Sequence, residues 1–479
     1  MASEVKASAN SAVKAGMWYT VCNFIFRGMA FITTPIFARL MSKTELGDFS
    51  NFATWASVLM VVTSFDMAQS IIRSKLEVED DIHSYIWSIL ALSTLSTTFF
   101  YGVVCIFSDF FTNLFEMNMQ CIHLMFLYLL VTPAYSMLIT KHRAFYKYKT
   151  FVAFTGISLV SATLTSLLLV VLMENKFAGR LLGNYIPHIV MNLAIFIYLM
   201  VKGKKIKIKY WKYALVICLP LVPHNLSLYL LSSSDKILIT KMCGSQYTAV
   251  YSIAYSCYHI ITILFDSMNK AWAPWLLESL HKENYGAIKK NSKVYIGVFM
   301  ALIVGVLMLV PEIIFIFGGS KYRAAVYCLP PLAASCSFQF VYTMYVNIEF
   351  YKKKTLGVAG ATIIASLVNI GLNFIFIPMN PEKSFVIAAY TTLAGYILLF
   401  ILHYFIVRRM KMSFVYDIGF ILKMLAGILI VSGIMNLLYM NTIIRYIVVL
   451  IYGSITLYFI YRYRDVIKGI LFKKKRKKS

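Results

Sequence analysis

Charge is scarce in this chain: charged residues make up 14% of its 479 residues, and acids are the scarcer sign, with 20 Asp and Glu against 46 Lys and Arg. A water-soluble domain carries roughly a quarter charged residues, so a soluble globular fold is excluded. No GxxxxGK[ST], GxSxG or HExxH stretch is present, which removes the usual nucleotide-driven and hydrolytic engines. The eight cysteines (Cys22, Cys105, Cys121, Cys218, Cys243, Cys257, Cys328 and Cys336) show no CxxC or other metal spacing. Most fall in or beside apolar runs, where cysteine acts as a small hydrophobe, so neither a disulfide framework nor a metal site is expected. No polar break exceeds about 25 residues, too short for a soluble catalytic domain.

What is there is apolar: 60% of residues are hydrophobic and the mean hydropathy is +0.73. Runs of roughly 20 residues, the length that crosses about 30 Å of hydrocarbon as a helix, recur along the whole chain. They fall at 15–38, 47–70, 84–107, 121–140, 151–173, 181–201, 213–234, 247–268, 294–317, 325–349, 356–378, 385–407, 416–438 and 443–461. The expected fold is therefore all-α, a polytopic membrane protein of about 14 helices; barrel strands would alternate in segments of about ten. The polar opening MASEVKASANSAVKAG precedes a long first span with no small-residue cleavage site, and reads as an uncleaved anchor.

The formal charge of +26 invites a nucleic-acid reading until it is mapped onto the breaks. With the N-terminus taken as inside, roughly 34 of the 46 Lys and Arg fall on inside segments, among them KHRAFYKYK, KGKKIKIKYWK, YKKK, RRMK and the tail YRYRDVIKGILFKKKRKKS. That bias orients both termini toward the cytoplasm and accounts for the charge through topology and anionic lipid. No nucleic-acid partner is expected; KKKRKK matches a nuclear signal only as a pattern. The longest break, 269–293, mixes Trp272, Trp275, Leu276 and Leu280 with charges, as a helix lying at the interface would.

A faint repeat is visible. Gly47-Asp48-Phe49-Ser50 aligns with Ala249-Val250-Tyr251-Ser252, each after a long span that begins just past a lysine, Lys14 and Lys212. With the lysine-rich stretch 202–212, this suggests two six-helix lobes, 1–211 and 212–411, followed by a helix pair and basic tail, 412–479.

Ionisable groups within spans should face protein or water, because each costs about 2.5–3.5 kcal/mol at mid-bilayer. Thr20, Asn23, Arg27 and Thr34 share one stripe of the first span. Trp55, Asp66, Gln69 and Arg73 offer a similar face on the second. The eighth gathers Tyr251, Tyr255, Tyr258, His259, Thr262 and Asp266; the tenth aligns Ser335, Tyr342, Tyr345 and Glu349, the eleventh Thr362, Ser366, Asn369 and Asn373. In LPLVPHNLSLYLLSSSDKILIT (219–240), His224, Ser227, Ser234 and Asp235 share a side while Pro220 and Pro223 remove backbone donors. Two readings stand: a helix lining a moving, water-filled cavity, or packing kinks with Asp235-Lys236 marking the interface. Asp66, Asp266 and Glu349 likewise read as cavity groups or as ordinary flanks of span ends, and Lys423 can snorkel to the inside face.

KAGMWYTVCNFIFRGMAFITTPIFARLMSKTELGDFS, with Pro35, Arg39-Leu40, Glu45 and Gly47, resembles the opening of bacterial oligosaccharide flippases, the polysaccharide-export branch of the multidrug/oligosaccharidyl-lipid/polysaccharide superfamily. LPLVPHNLSLYLLSSSDKILI, with Pro220, Pro223, His224 and Asp235-Lys236, resembles that family's seventh-span signature, and AWAPW, with Trp272 and Pro274, a third mark.

The resemblance covers essentially the whole chain. It implies two pseudo-symmetric lobes around a central cationic cavity in the cell (inner) membrane. The implied activity is transport without enzymatic chemistry: undecaprenyl-diphosphate-linked oligosaccharides flipped toward the periplasm for O-antigen, capsule or related polymers. It implies alternating access, no cofactor beyond proton or sodium coupling, and membrane lipids, polymerase and chain-length machinery as partners. Arg27, Asn23, Arg39, His224, Tyr255, Tyr258 and Asn369 are the expected diphosphate and sugar contacts. Asp66, Asp235, Lys236, Asp266, Glu349, Pro35, Pro220 and Pro223 are the expected coupling and gating positions. The alternatives are a cation-coupled multidrug antiporter of the same superfamily, disfavoured by Arg27 and the extra helix pair, and a membrane polysaccharide polymerase or ligase, disfavoured by the short outside loops.

Overall fold

In hydrocarbon every backbone amide must be satisfied within its own segment or by a closed sheet, and this chain takes the helical solution. A computed structural model describes residues 28–29, 31–145 and 148–462. The helices, in chain order, are α1 (Phe31–Leu40), α2 (Lys43–Ser64), α3 (Ser70–Glu77), α4 (Ile82–Ile106), α5 (Ser108–Phe115), α6 (Met119–Ala144), α7 (Tyr148–Leu172), α8 (Lys176–Gly203), α9 (Ile208–Cys218), α10 (Val222–Cys243), α11 (Ser245–His281), α12 (Tyr285–Met308), α13 (Val310–Gly318), α14 (Leu329–Tyr351), α15 (Thr355–Phe376), α16 (Ser384–Arg409), α17 (Ile418–Leu438) and α18 (Thr442–Arg462). Short 3-10 turns link several of them, and no strand occurs among the described residues. The protein is all-α and polytopic.

Ten of the described helices are long and apolar enough to cross a bilayer, and twelve spans result if two bent pairs each count as one. Phe31–Leu40 and Thr442–Tyr458 are shorter apolar helices at the places of the first and last expected spans. Large apolar side chains such as Ile106, Val171, Leu437 and Leu450 stand exposed around the outside, the condition expected of a lipid-facing belt rather than of a soluble surface.

Local chemistry sets the helix starts. Ser42 and Glu45 form a reciprocal capping box on α2, the Glu45 carboxylate accepting from Ser42 N at 2.7 Å and Ser42 Oγ from Glu45 N at 3.1 Å. Asn118, Asn175, Asn284 and Asp417 cap α6, α8, α12 and α17 through side-chain oxygens. Gly244, at φ 106°, makes the one-residue turn between α10 and α11, a conformation that a Cβ would strain.

Three expectations fail, each for a local reason. The second span is not one straight helix: Phe65 (φ 49°) and Asp66 (φ 46°) sit in the left-handed region, and the chain bends by 60° there. The single polar face expected from Trp55 to Arg73 therefore does not exist; Trp55 packs on Phe115, with ring centroids 4.6 Å apart. The interfacial helix expected over 269–293 does not form either. Helix α11 runs unbroken for 37 residues, roughly 55 Å, with Trp272 stacked on Tyr295 of α12 at 4.4 Å. The ninth span stops at Met308, and Pro311 lies in the first turn of the separate helix α13, where its missing amide costs no intrahelical bond.

The apolar core is divided. Two clusters belong to the N-terminal half. A larger one fills the C-terminal half and reaches across to Phe37, Ala38, Met41 and Leu46. Helix α9 contributes Tyr210 and Ala214 to an N-terminal cluster, whereas α10 contributes Leu231, Leu238 and Ile239 to the C-terminal one. The chain thus passes from one core to the other at Leu219–Leu221, between α9 and α10, where Pro220 lies and Pro223 follows. Helices α17 and α18 pack on the C-terminal half, and Arg445 fastens α18 to Glu312 of α13 by two bonds of 2.5 and 2.6 Å.

Candidate functional site

Two adjoining cavities lie between the halves, and Ala53, Ser57 and Tyr229 line both. The first, about 520 Å³, is walled mainly by α2, α6 and α10, with Ser64, Asp66, Gln69, Tyr128, Thr132, Ser136, Tyr185 and Asn225. The second, about 640 Å³, is walled by α2, α10 and α11, with Lys236, Tyr255, Tyr258, His259, Thr262, Asp266, Gln339 and Tyr396. Ser57, Gln69, Tyr229 and His259 are exposed, so solvent reaches these walls. Hydroxyls, amides and aromatic faces dominate, with the charges of Asp66, Lys236 and Asp266 set among them, a mixture that suits a large polar ligand.

Most of the described hydrogen bonds that cross between the halves gather at one end. There the Ser50 and Ser252 hydroxyls are hydrogen-bonded at 2.6 Å, and Ser245 donates to Asp48. Arg39 donates to Ile316 O at 3.1 Å, Lys321 to Met41 O, and Lys241 to Glu116 at 2.6 Å. A Cβ on Gly47 would lie 1.8 Å from Ser245 O, so α2 and α11 touch backbone to backbone. The aligned tetrapeptides at 47–50 and 249–252 are thus the two sides of one seam, meeting at Ser50 and Ser252. Near the opposite end, Asn225 Nδ2 bonds Asp66 at 2.7 Å.

The Asp-Lys pair in 219–240 divides its labour. Successive helical residues point about 100° apart, and these two face different neighbours. Asp235 is fully buried and accepts from Tyr251 of α11, from Asn373 of α15 at 2.6 Å and from Thr392 of α16 at 2.5 Å. Asn369 closes the same network, accepting from Ser234 at 3.3 Å and from Asn373 at 3.4 Å. Lys236 instead lines the second cavity, its ammonium 4.7 Å from the Tyr255 ring centre, a cation–π contact that leaves the charge turned to the cavity. Three donors on one carboxylate are what a buried anion requires.

Of the other expected positions, Lys236, Tyr255, Tyr258, Asp66 and Asp266 come together on the cavity walls. Asn369 and Asp235 lie behind the wall, in the C-terminal helices. Glu349 is sealed against His403, 2.6 Å away, with both side chains at 0% exposure. His224 is half-buried at the start of α10, and Pro220 and Pro223 are exposed at the break. Pro35 and Arg39 belong to the closed seam rather than to the cavity; Pro35 O accepts from Arg39 at 2.8 Å. Asn23 and Arg27 lie outside the described residues.

Sequence reasoning missed His403, Tyr396, Gln339 and the N-terminal wall residues Tyr128 and Tyr185. His403 had a usable signal, since an ionisable group deep in an apolar span should be queried. The others are ordinary residues in span interiors and become wall residues only through packing. No group of three or more His, Cys, Asp or Glu placed to hold a metal occurs among the described residues.

Comparison with known proteins adds three findings. A family model described as polysaccharide biosynthesis protein matches residues 12–280. No protein with a curated description matches. Among solved structures, the chain is similar to the lipid II flippase MurJ in an inward closed conformation, with a TM-score of 0.68 and 18% identity over 94% of this chain and 100% of that one. It is also similar to a multidrug resistance MATE family transporter of the MOP superfamily in an inward-facing conformation, with a TM-score of 0.58 and 13% identity over 80% of this chain and 95% of that one. Likeness at such identities establishes a shared fold.

Proposed function

Because the chain belongs to the polysaccharide biosynthesis protein family, we propose that it is a flippase for polyprenyl-diphosphate-linked oligosaccharides, carrying repeat units for O-antigen, capsule or related surface polymers across the cell membrane. The observation that supports this most is the pair of joined cavities between the two halves, rich in tyrosine and hydroxyl groups and bearing the Lys236 ammonium. Sugars stack on ring faces and bond hydroxyls, and a diphosphate seeks a cation in a low-dielectric site. The polyprenyl tail stays in lipid while the head group crosses.

With the termini on the cytoplasmic side, as the lysine distribution favours, the closed seam faces outward and the cavity loads from the cytoplasm. Alternating access then parts the α2–α11 seam and draws the opposite ends together. The bend at Phe65–Asp66 and the break at Pro220 and Pro223 take up the motion. Asp235 binds the coupling proton or sodium ion, since it is held by α10, α11, α15 and α16 at once and its charge state acts on all four. Lys236, one residue on, reports that state to the cavity.

The test is translocation of a labelled polyprenyl-diphosphate oligosaccharide in proteoliposomes, with and without proton and sodium gradients. Flux that falls at least tenfold in Lys236→Gln supports the reading. Absence of flux with efflux of a lipophilic cation would return the antiporter.

A further inference from the structure

Positive charge is scarce at the closed end of the molecule, yet five of the cations found there converge on one place. Arg39, Lys43, Lys176, Arg180 and Lys321 surround the seam where α1, α2 and α8 meet the loop after α13. The Lys43 and Lys321 ammoniums flank the ring of Tyr322 at 6.0 and 5.6 Å. Arg180 is pressed between the rings of Phe37 and Phe49, 4.0 Å from each centre.

None of the five has a carboxylate at ion-pair distance among the described residues. Their side-chain hydrogen-bond acceptors are neutral: Lys176 donates to Leu40 O at 2.8 Å, Lys321 to Met41 O, Arg39 to Ile316 O at 3.1 Å, and Arg180 to the Met41 sulfur at 3.5 Å. Of the two nearby acids, Glu45 is within electrostatic reach of Lys176 and Lys321 but engages its carboxylate in the capping box, one negative charge against five positive, and Asp48 accepts from Ser245. The Tyr322 hydroxyl, on a residue with 0% exposure and within electrostatic reach of Arg180, has no hydrogen-bond partner.

Mutually repelling cations held by carbonyl oxygens, beside an orphaned hydroxyl, form a site short of an anion. We propose that this cluster is a diphosphate-binding site, used when the seam parts: the exit station for the diphosphate of the lipid-linked substrate. The proposal rests on the flippase reading for the ligand's source, while the chemistry rests on the cluster alone. Parting the halves takes the Met41 and Ile316 carbonyls away from Lys321 and Arg39, because those two bonds cross the seam. The freed ammonium and guanidinium then meet a ligand of several negative charges, which a carbonyl cannot match. The same cations therefore latch the closed state and receive the head group in the open one.

The probe is inorganic pyrophosphate, added to full-length protein in zwitterionic vesicles and in detergent, with sulfate at equal ionic strength as the comparison. Pyrophosphate is expected to raise the unfolding temperature and to inhibit flux from the seam side. Both effects should need at least tenfold more pyrophosphate in the Lys176→Gln/Lys321→Gln protein and be unchanged in Lys282→Gln, an exposed cation at the end of α11 remote from the seam. An effect no larger than that of sulfate, or one equal in the double variant, overturns the site, as does stabilisation by phosphatidylglycerol vesicles with none by pyrophosphate. Stabilisation without flux of any lipid-linked oligosaccharide leaves the anion site and removes the flippase reading; flux without a pyrophosphate effect does the reverse.

Discussion

Adding a single methyl group at Gly47 should change which end of the cavity is open. The Cβ of Gly47→Ala would lie 1.8 Å from Ser245 O and 2.5 Å from its carbonyl carbon, so the two helices must withdraw by roughly 2 Å to restore ordinary contact. Both obstacles are backbone, which no rotamer change can move aside. Overpacking of this kind costs about 1–3 kcal/mol, and here it falls only on the state in which the seam is shut. A penalty near 2 kcal/mol shifts the balance toward the parted state by roughly thirtyfold. The assay is labelling of Ser252→Cys by a membrane-impermeant maleimide in a background without the native cysteines. Ser252 faces Ser50 across the seam, and labelling from the seam side should accelerate by about that factor. Gly183→Ala is the control. Its Cβ would lie 2.4 Å from Ser166 Cα, a clash inside the N-terminal half, so it should lower stability without exposing the introduced thiol. Equal labelling with and without Gly47→Ala, or equal acceleration by Gly183→Ala, would refute the reasoning.

Further outcomes are expected elsewhere. Asp235→Ala strands the donors of Tyr251, Asn373 and Thr392 in a buried site and should cost about 1–3 kcal/mol for each donor left unsatisfied, read as a lower unfolding temperature. Asp235→Asn should retain the fold and lose the response of flux to an ion gradient, and an unaltered gradient response would remove Asp235 from coupling. Arg445→Ala breaks the two bonds to Glu312 and should loosen α18 while flux per folded molecule stays within about twofold; proteolysis of the C-terminal segment measures it. Burial pushes the Asp81 carboxyl up, but the Lys207 ammonium and Tyr210 hydroxyl outweigh it and hold it at about 2. A depressed folded-state value stabilises above the ordinary carboxylate range and is lost as pH falls through that value, so docking of α9 on α4 should hold at pH 5 and weaken between pH 4 and 2. Asp81→Asn should mimic that loss at neutral pH, speeding tryptic cleavage at the exposed Lys204 and Lys205; an unchanged cleavage rate would show that Asp81 does not hold this junction.

Hydrophobic run length was enough to place most spans, because a helix in lipid satisfies its own backbone and needs no distant partner. The run 84–107 became α4 at Ile82–Ile106, and 416–438 became α17 at Ile418–Leu438. The failures were non-local or lacked a letter that signals them. Phe65 and Asp66 carry a 60° bend with no glycine or proline, so the pattern continued smoothly through a broken helix. Asp235 was legible as a charge in a span, but its partners sit 138 and 157 residues further on. Those partners make it a buried junction and leave Lys236, of the pair, on the cavity wall.

The two halves are not equivalent in what they bury. Among the described residues, the fully buried carboxylates, Asp235 and Glu349, both lie in the C-terminal half, Glu349 paired there with the equally buried His403. The N-terminal half buries amides and hydroxyls instead, as in the bond from Asn192 to Thr132 at 3.2 Å. An ion gradient can act only where occupancy of a site differs between states, so on the proposed reading coupling resides in the C-terminal helices and the N-terminal half follows through the seam. Replacing Asn192 by Ala should therefore change stability and leave the gradient dependence of flux intact, whereas Asp235→Asn should abolish that dependence. If Asn192→Ala uncoupled flux from the gradient as completely, the asymmetry would have no mechanistic meaning.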